Sequence, residues 1–332
     1  MFDRYMSKIK KIRRKISQMI SAVKKYPKYS KEFGLAPANK MIRKNCSLIS
    51  ADNYIESMSM YVQREIKGVT QAFNNGEIKE YAKIVSFVKK PIWVCWFQGR
   101  DNLPEICRVC VEQIERIAPE DSCVVFLTKD NFKQYLIMPD YIIEKFENGT
   151  ISSPNFSDLL RYGLLSTYGG MWIDAAILVT GDVLNKALNS DIYSVRFYEG
   201  NEKLLDASRG LWIGGFWAGT DRMITFKYCY EALQHLWSKH NIAIEYLACD
   251  YILWSGYSQV DQMAKEIDSI SVNNKNIRAL NDKLNEPFST ELFMQIVETN
   301  DVHLINRHLT YNTETERGEE TIYGHLINKG MM

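Results

Sequence analysis

The sequence predicts an α/β protein with a mostly parallel sheet flanked by helices, carrying a helical extension at its N-terminal side. Three observations predict it. Two apolar runs, PIWVCWF and SCVVFLT, are separated by a segment with helical spacing. A third, SDLLRYGLLSTYGGMWIDAAILVT, reads as a helix, a double-glycine turn and an apolar strand. Upstream of all three, apolar residues recur only at helical intervals. Strand and helix in alternation are the grammar of a parallel sheet with crossover helices.

In order along the chain, MSKIKKIRRKISQMISAVKK places Met6, Ile9, Ile12, Ile16, Met19, Ile20 and Val23 at spacings of three and four, with basic residues between them. This predicts a basic amphipathic helix. Pro27 and the stretch YPKYSKEFGLAPANK read as a connector. Residues 47–88 read as helical, with Ile55, Met58, Val62, Ile66 and Val69 on one face and a break at NNGE. The boundaries expected are an extension over 1–88 and a single α/β domain over 89–332.

KKPIWVCWFQG is an apolar run after a proline and before a glycine, a buried strand running into a loop. Asn102 to Ile117 reads as a helix with Pro104 in its first turn. DSCVVFLT is the second strand, KDNFKQYL a short helix or turn, and MPDYIIEKFENG a helix ending at Gly149. Ser157 is placed to cap a helix starting at Asp158. Gly169 and Gly170 end it. Met171, Trp172 and Ile173 then enter the sheet, which puts Asp174 at or near a strand end. DIYSVRFYEG is a further strand candidate, DRMITFKYCYEALQHLWSKH an amphipathic helix and AIEYLACDYILWSGYS another.

Charge and cysteine content narrow the function classes. The net charge is +1. Residues 1–31 hold Arg4, Lys8, Lys10, Lys11, Arg13, Arg14, Lys15, Lys24, Lys25, Lys28 and Lys31 against one acid, Asp3, so that segment carries about +10 and the remainder about −9. An anionic lipid surface suits such a helix, each cation near it contributing roughly 1 kcal/mol. A helix packed on the domain or bound to a partner protein is the plainer reading. No nucleic-acid reading motif accompanies the charge, so no nucleic-acid partner is expected. Seven cysteines in apolar contexts point to a reducing compartment. Cys107 and Cys110 form a lone CxxC, two residues of one helical face, without the second pair that a zinc site would require. No apolar run is long enough to cross a bilayer, and no secretory leader is apparent. A cytoplasmic protein, peripheral on the inner leaflet of the plasma membrane, is expected.

The central motif carries the chemistry. Asp158 and Arg161 are three apart on one helix and share a face. Their bland reading is a surface ion pair of little consequence. Asp174 sits in MWIDAAILV, where an unpaired carboxylate costs several kcal/mol. Backbone amides are one solution. A divalent cation carrying a diphosphate is another, since Mg²⁺ and Mn²⁺ take hard oxygen ligands.

These residues give a resemblance. SDLLRYGLLSTYGGMWIDAAILVT is similar to the signature of the bacterial capsular polysaccharide synthesis family, grouped with the glycosyltransferases of family 32. PIWVCWFQGRDNLPEICRVCVEQ, SCVVFLTKDN and PDYIIEKFENGTISSPNFSD fit as well, so the likeness is close over roughly residues 90–185. EYLACDYILW and RHLTYN continue it loosely, and residues 1–88 carry none of it. The resemblance implies a GT-A (Rossmann-like) fold and a retaining transferase. It implies that Trp96, Phe97, Gln98 and Gly99 line a nucleotide pocket and that Asp158 faces the nucleotide sugar. Arg161 would pair with Asp158 or reach the diphosphate, and Gly169 and Gly170 would let the backbone approach the donor. Asp174 takes the first place of a DxD metal motif. The second acid is missing, since Ala175 and Ala176 follow. A Mn²⁺ or Mg²⁺ ion would then be held by Asp174, the diphosphate, water and one C-terminal ligand, with His308 and His325 as candidates. Arg or Lys on the diphosphate is the alternative.

The expected function is transfer of a sugar from a nucleotide-diphosphate sugar, a UDP-sugar, to a lipid-linked glycan acceptor in capsular or surface polysaccharide synthesis. Asp158, Asp174 and Asp250 are the catalytic candidates, Asp250 orienting sugar hydroxyls unless it is a helix-surface acid. Trp212, Phe216 and Trp217 are candidates to stack on sugar rings, with core packing as the plainer fate. Arg196 and Arg209 are further cations for the diphosphate, outside the candidate set above. The alternatives are a non-catalytic sugar-binding or scaffold subunit, motivated by the missing second acid, and transfer of a non-sugar group such as glycerol phosphate.

Overall fold

A computed structural model describes residues 2–197, 207–245 and 248–331, and for residues 2–12 and Arg14 the helical backbone alone. Helices α1 (Phe2–Phe33), α2 (Leu35–Asn45), α3 (Ala51–Glu65) and α4 (Lys67–Asn74) come first. Then follow β1 (Lys90–Cys95), α5 (Glu105–Ile117), β2 (Ser122–Leu127), α6 (Asp140–Glu147), α7 (Ser153–Tyr168) and β3 (Gly170–Ile173). The chain continues with β4 (Ile177–Val179), α8 (Val183–Leu188), β5 (Ile192–Ser194), β6 (Phe216–Gly219), α9 (Ile224–Lys239), α10 (Ala248–Gln259), α11 (Asp261–Asp268), α12 (Thr290–Thr299), β7 (Val302–Leu304) and α13 (Ile322–Lys329).

The central sheet has five strands in the order β2-β1-β3-β6-β5. β2, β1 and β3 are parallel neighbours, while β6 runs antiparallel to both β3 and β5. Four of the five strands therefore point one way, and the sheet is mostly parallel with helices on its faces. A second, two-stranded sheet pairs β4 with β7.

Period-two alternation builds the two cores. Trp93, Trp172 and Trp217 are paired in register across β1, β3 and β6 and bury into the face covered by α7, α9 and α10. Their neighbours Ile92, Val94, Met171, Ile173, Phe216 and Ala218 bury into the opposite face. Each such indole removes on the order of 200 Å² from water, roughly 5 kcal/mol as an upper bound.

Several expectations need correction. The helix runs through Pro27, and no connector interrupts it before Gly34. Tertiary contacts outweigh the lost backbone bond: Tyr29 and Phe33 are buried in the main core, and the Tyr29 hydroxyl donates to Ile244 O at 2.6 Å. Helical structure ends at Asn74, so residues 77–88 are not helical. That strap is held across the body by side chains: Lys79 to Glu231 at 2.6 Å, Lys83 to Asp221 at 2.8 Å and Ile84 N to the Tyr168 hydroxyl at 2.9 Å. The central helix starts at Ser153, with Ser152 as its cap and Pro154 in its first turn; Ser157 lies inside it. MWIDAAILV is two strands, because the chain turns at Asp174 and passes from the central sheet to the small one. In DIYSVRFYEG only Ile192–Ser194 is a strand, and Tyr198 to Gly200 lie outside the described residues, as do Tyr246 and Leu247. No described helix is long and apolar enough to cross a membrane.

α3 and α4 share a core with the rest of the chain. Tyr54, Met58, Val62 and Phe73 belong to the same cluster as Trp93 and Trp172, and the Thr70 and Tyr228 hydroxyls are 2.8 Å apart.

Candidate active site

The parallel register brings the carboxyl ends of β1 and β3 to the same edge, where open α/β sheets place their ligands. Asp174 is the first residue beyond β3. Its amide donates to Gly215 O at 2.8 Å, and its carbonyl accepts from Ile177 N at 2.9 Å, which fixes the turn between the two sheets. Its side chain is 42% exposed, so the carboxylate stands at the mouth of the site rather than in the core.

Arg161 reaches this carboxylate from the middle of α7. Nη2 donates to Asp174 Oδ1 at 3.0 Å, and Nη1 donates to Asp158 Oδ1 at 2.5 Å. The Arg161 side chain is only 6% exposed. Burial alone would ease its proton off, but the Asp174 and Asp158 charges outweigh that and hold the guanidinium more firmly protonated than usual. Burial pushes the Asp158 carboxyl upward, against the pull of Arg161. The pair is therefore not the solvated surface bridge of the bland reading. Trp172, two residues before Asp174 and on the same face of the strand, donates Nε1 to Asp174 Oδ1 at 2.7 Å. Sequence reasoning missed this contact, although the i, i+2 spacing signals it.

Gly215 makes the site possible. A Cβ there would stand 2.5 Å from Asp174 Oδ2, and one at Gly214 would have Arg161 Nη1 as its near neighbour at 4.0 Å. The double glycine in LWIGGFWAG was the available signal, since glycine in a strand context marks close approach of another group. Cys95, at the end of β1, is also near: burial, then the Asp174 charge, pushes its thiol up.

Asp250 is buried in the first turn of α10, where its Oδ1 accepts from Trp212 Nε1 at 2.9 Å. It is not a helix-surface acid. Both residues line an open cleft of about 330 Å³, shared with Arg209, Gly214, Lys275 and Arg278. Phe216 and Trp217 are fully buried in the two cores and do not face this cleft as stacking platforms; strand alternation sends each into one face of the sheet. Arg196 is buried, with Nη1 donating to Ile267 O and Ile270 O, a structural role.

Gly169 and Gly170 serve the fold rather than the site. They stand at the amino end of β3, the opposite end from Asp174. Both have positive φ, and a Cβ would meet Gly219 O at 2.7 Å from Gly169 and Pro91 O at 2.2 Å from Gly170. The space expected for a donor is filled by the neighbouring strands. At the end of β1, Trp96 donates Nε1 to Asn102 O and lies under the Arg307 guanidinium at 5.0 Å. Phe97 packs in a cluster with Phe146 and Phe156. Gln98 is exposed, and Gly99 has φ 86 in the turn that follows.

The expected metal ligands do not converge. His325 is buried on α13, stacked on Phe288 at 3.6 Å with Nδ1 3.3 Å from Glu320. His308 is exposed in a C-terminal turn. Among the described residues no group of three His, Cys, Asp or Glu side chains is placed to hold a metal. Asp174 Oδ1 is taken by Arg161 and Trp172, and Oδ2 makes no hydrogen bond among the described residues. The site therefore fits a divalent cation only as a one-carboxylate anchor, the remaining ligands coming from phosphate oxygens and water. Cys107 and Cys110 are buried on α5 and unpaired, as are all the cysteines.

Comparison with known proteins adds the context. The family described as capsular polysaccharide synthesis protein matches residues 38–326. Its span begins well upstream of the segment where the signature is close, and takes in α3 and α4. The chain is 22% identical over 182 residues to the glycosyltransferase afumC of Aspergillus fumigatus, covering 51% of this chain and 46% of that protein. It is 30% identical over 95 residues to the O-glycosyltransferase braB of Annulohypoxylon truncatum, covering 26% of this chain and 22% of that one. The chain thus spans less than half the length of these curated relatives.

Proposed function

We propose, from the premise that the chain belongs to the capsular polysaccharide synthesis protein family, that it is a glycosyltransferase with a GT-A-type fold. It moves a sugar from a nucleotide-diphosphate donor, a UDP-sugar, to a lipid-linked glycan acceptor with retention of configuration. Its relatives named as glycosyltransferases support the reaction class. The observation that carries the reading is Arg161, buried and shared by Asp158 and the half-exposed Asp174 at the carboxyl edge of the parallel strands.

Breaking a sugar–phosphate bond develops positive charge on the sugar and negative charge on the leaving diphosphate. Fixed, preorganised charges at the reacting centre lower that barrier without reorganising. Arg161 and Trp172 fix the Asp174 carboxylate in one orientation through Oδ1, and Oδ2 makes no hydrogen bond among the described residues. Asp174 is the residue that would hold a Mn²⁺ or Mg²⁺ ion, which supplies neutralisation of diphosphate charge. Asp158 and Arg161 orient the donor sugar, and Asp250, held by Trp212, accepts a sugar hydroxyl. Trp96 to Gly99 border the nucleotide. The basic, apolar α1 holds the enzyme on the inner leaflet, where a lipid-linked acceptor resides.

The second reading is a sugar-binding scaffold subunit, favoured by the single acid at Asp174-Ala175-Ala176. A panel of nucleotide sugars with Mn²⁺ or Mg²⁺, with and without a lipid diphosphate acceptor, separates the two. Transfer or donor hydrolysis that is lost in Asp174→Asn, with the fold intact by circular dichroism, supports the enzyme. Absence of turnover with every donor supports the scaffold, and near-normal rates in Asp174→Asn remove that residue from the mechanism.

A further inference from the structure

The cleft beside the Arg161 cluster carries a second constellation. Its charged lining is Arg209, Lys275, Arg278 and Asp250, three cations against one acid, a net of about +2. Asp250 is already engaged by Trp212. Neither Lys275 nor Arg278 has an acidic partner among the described residues. Arg209 is held at φ 53, a left-handed conformation unusual for a residue with a long side chain. Such a conformation is strained for a residue with a β-carbon and clusters at ligand-binding positions. Its guanidinium lies 3.6 Å from the centre of the Trp254 ring, and its buried Nε has no hydrogen-bond partner among the described residues.

A concave site with surplus positive charge recruits anions. Guanidinium groups bind phosphate oxygens through paired, charge-assisted hydrogen bonds, and a lysine adds a mobile point charge. A single carboxylate ligand would leave most of this charge unused; a diphosphate offers matching charge and several acceptor oxygens. We propose that Arg209, Lys275 and Arg278 form a diphosphate-binding site, with Asp250 beside it positioned for a hydroxyl of the attached sugar. The inference rests on the glycosyl-transfer reading, which supplies two diphosphate esters, the nucleotide donor and the lipid-linked acceptor. Their shared chemistry is what the cleft recognises.

The test is calorimetric titration of the full chain with three probes: inorganic pyrophosphate, uridine diphosphate and farnesyl diphosphate. In Lys275→Ala/Arg278→Ala, pyrophosphate should bind about tenfold or more weakly, and at least one of the two esters should weaken in parallel, which names the source. Lys275→Arg/Arg278→Lys should weaken binding less than the double alanine variant does, because both charges remain while the hydrogen-bond geometry changes. Circular dichroism confirms that the variants fold. Three results overturn the proposal: no pyrophosphate binding by the parent chain, unchanged binding in the double alanine variant, or a loss confined to pyrophosphate that spares both esters. Glycosyl transfer is scored separately. Cation-dependent pyrophosphate binding without any transfer defeats the transferase reading and leaves the site standing; transfer with unaltered binding does the reverse.

Discussion

Arg161, in the middle of α7, donates from Nη2 to Oδ1 of Asp174 just beyond β3, at 3.0 Å, while its Nη1 holds Asp158 at 2.5 Å. One buried cation thus balances two carboxylates from different elements. Arg161→Ala leaves Asp158 without its counter-ion in a mostly buried position, and breaking such a pair destabilises by about 3 kcal/mol or more. Arg161→Lys keeps the charge but cannot span both acids, since the ammonium is a point donor. The expected outcome is a large drop in urea midpoint for the alanine variant. The lysine variant should show a smaller drop and still lose turnover at least tenfold. Lysine restoring full activity would mean that the bridge is only a charge.

Gly215→Ala is a test of spacing rather than charge. Its new methyl group would stand 2.5 Å from Asp174 Oδ2, so the carboxylate must move. Gly215 does not occupy a left-handed conformation, so backbone strain adds nothing. A displacement near 1 Å at a reacting centre can cost about a hundredfold in rate, while stability should change by about 1 kcal/mol. Turnover and thermal midpoint together check this; parallel collapse of both would place the effect in the fold instead.

Asp158, Arg161 and Asp174 were legible in the sequence because two simple rules locate them. Helical i, i+3 spacing puts the first two on one face, and an acid after three apolar strand residues falls at a strand end. The glycines were misread for a physical reason. A sequence shows that Gly169 and Gly170 have conformational freedom but not which atoms crowd them, and here Pro91 and Gly219 do. Gly214 and Gly215, which do face the site, looked no different. Three-residue strands such as β4, β5 and β7 are too short to show a period. Pro27 marks a helix end in isolation, and only the burial of Tyr29 and Phe33 shows why the helix continues. Lys275 and Arg278 sit in the polar segment SVNNKNIRAL, and nothing local distinguishes them from solvated cations until the chain folds them onto the cleft.

His303 sets a pH dependence of stability away from the site. It lies fully buried on β7, and burial, opposed by the backbone at Asn300, pushes its imidazole down to about 4. In the unfolded chain the ordinary value is about 6.5. Between those two values the unfolded state binds a proton that the folded state refuses, so stability falls as pH is lowered through this window. The loss reaches about 3 kcal/mol near pH 4 and vanishes above about pH 7. Urea unfolding of the parent chain and His303→Gln at pH 7.5 and 5 isolates it. The difference between the two proteins should shift by about 2 kcal/mol; a pH-independent difference would show that His303 does not govern it.

The exposed face of α1 makes the last prediction. Every described residue from Arg13 to Ser21 is exposed, including Ile16 and Ile20, each 51% exposed, and Val23 beyond them is 61% exposed. An isolated helix gains nothing by holding these apolar residues in water, and the cations Arg13, Lys15, Lys24 and Lys25 flank them. This combination matches an anionic bilayer surface, which takes the apolar side chains at the headgroup boundary and the charges at the phosphates. Binding to vesicles containing phosphatidylserine should therefore exceed binding to phosphatidylcholine vesicles and weaken with added salt. Ile16→Ser/Ile20→Ser should weaken it by about tenfold or more, through loss of apolar burial. Lys24→Glu/Lys25→Glu should weaken it comparably at low salt and less at high salt. Sedimentation with each vesicle type reads all three. Unchanged binding in both variants would mean that the face serves a protein partner or none.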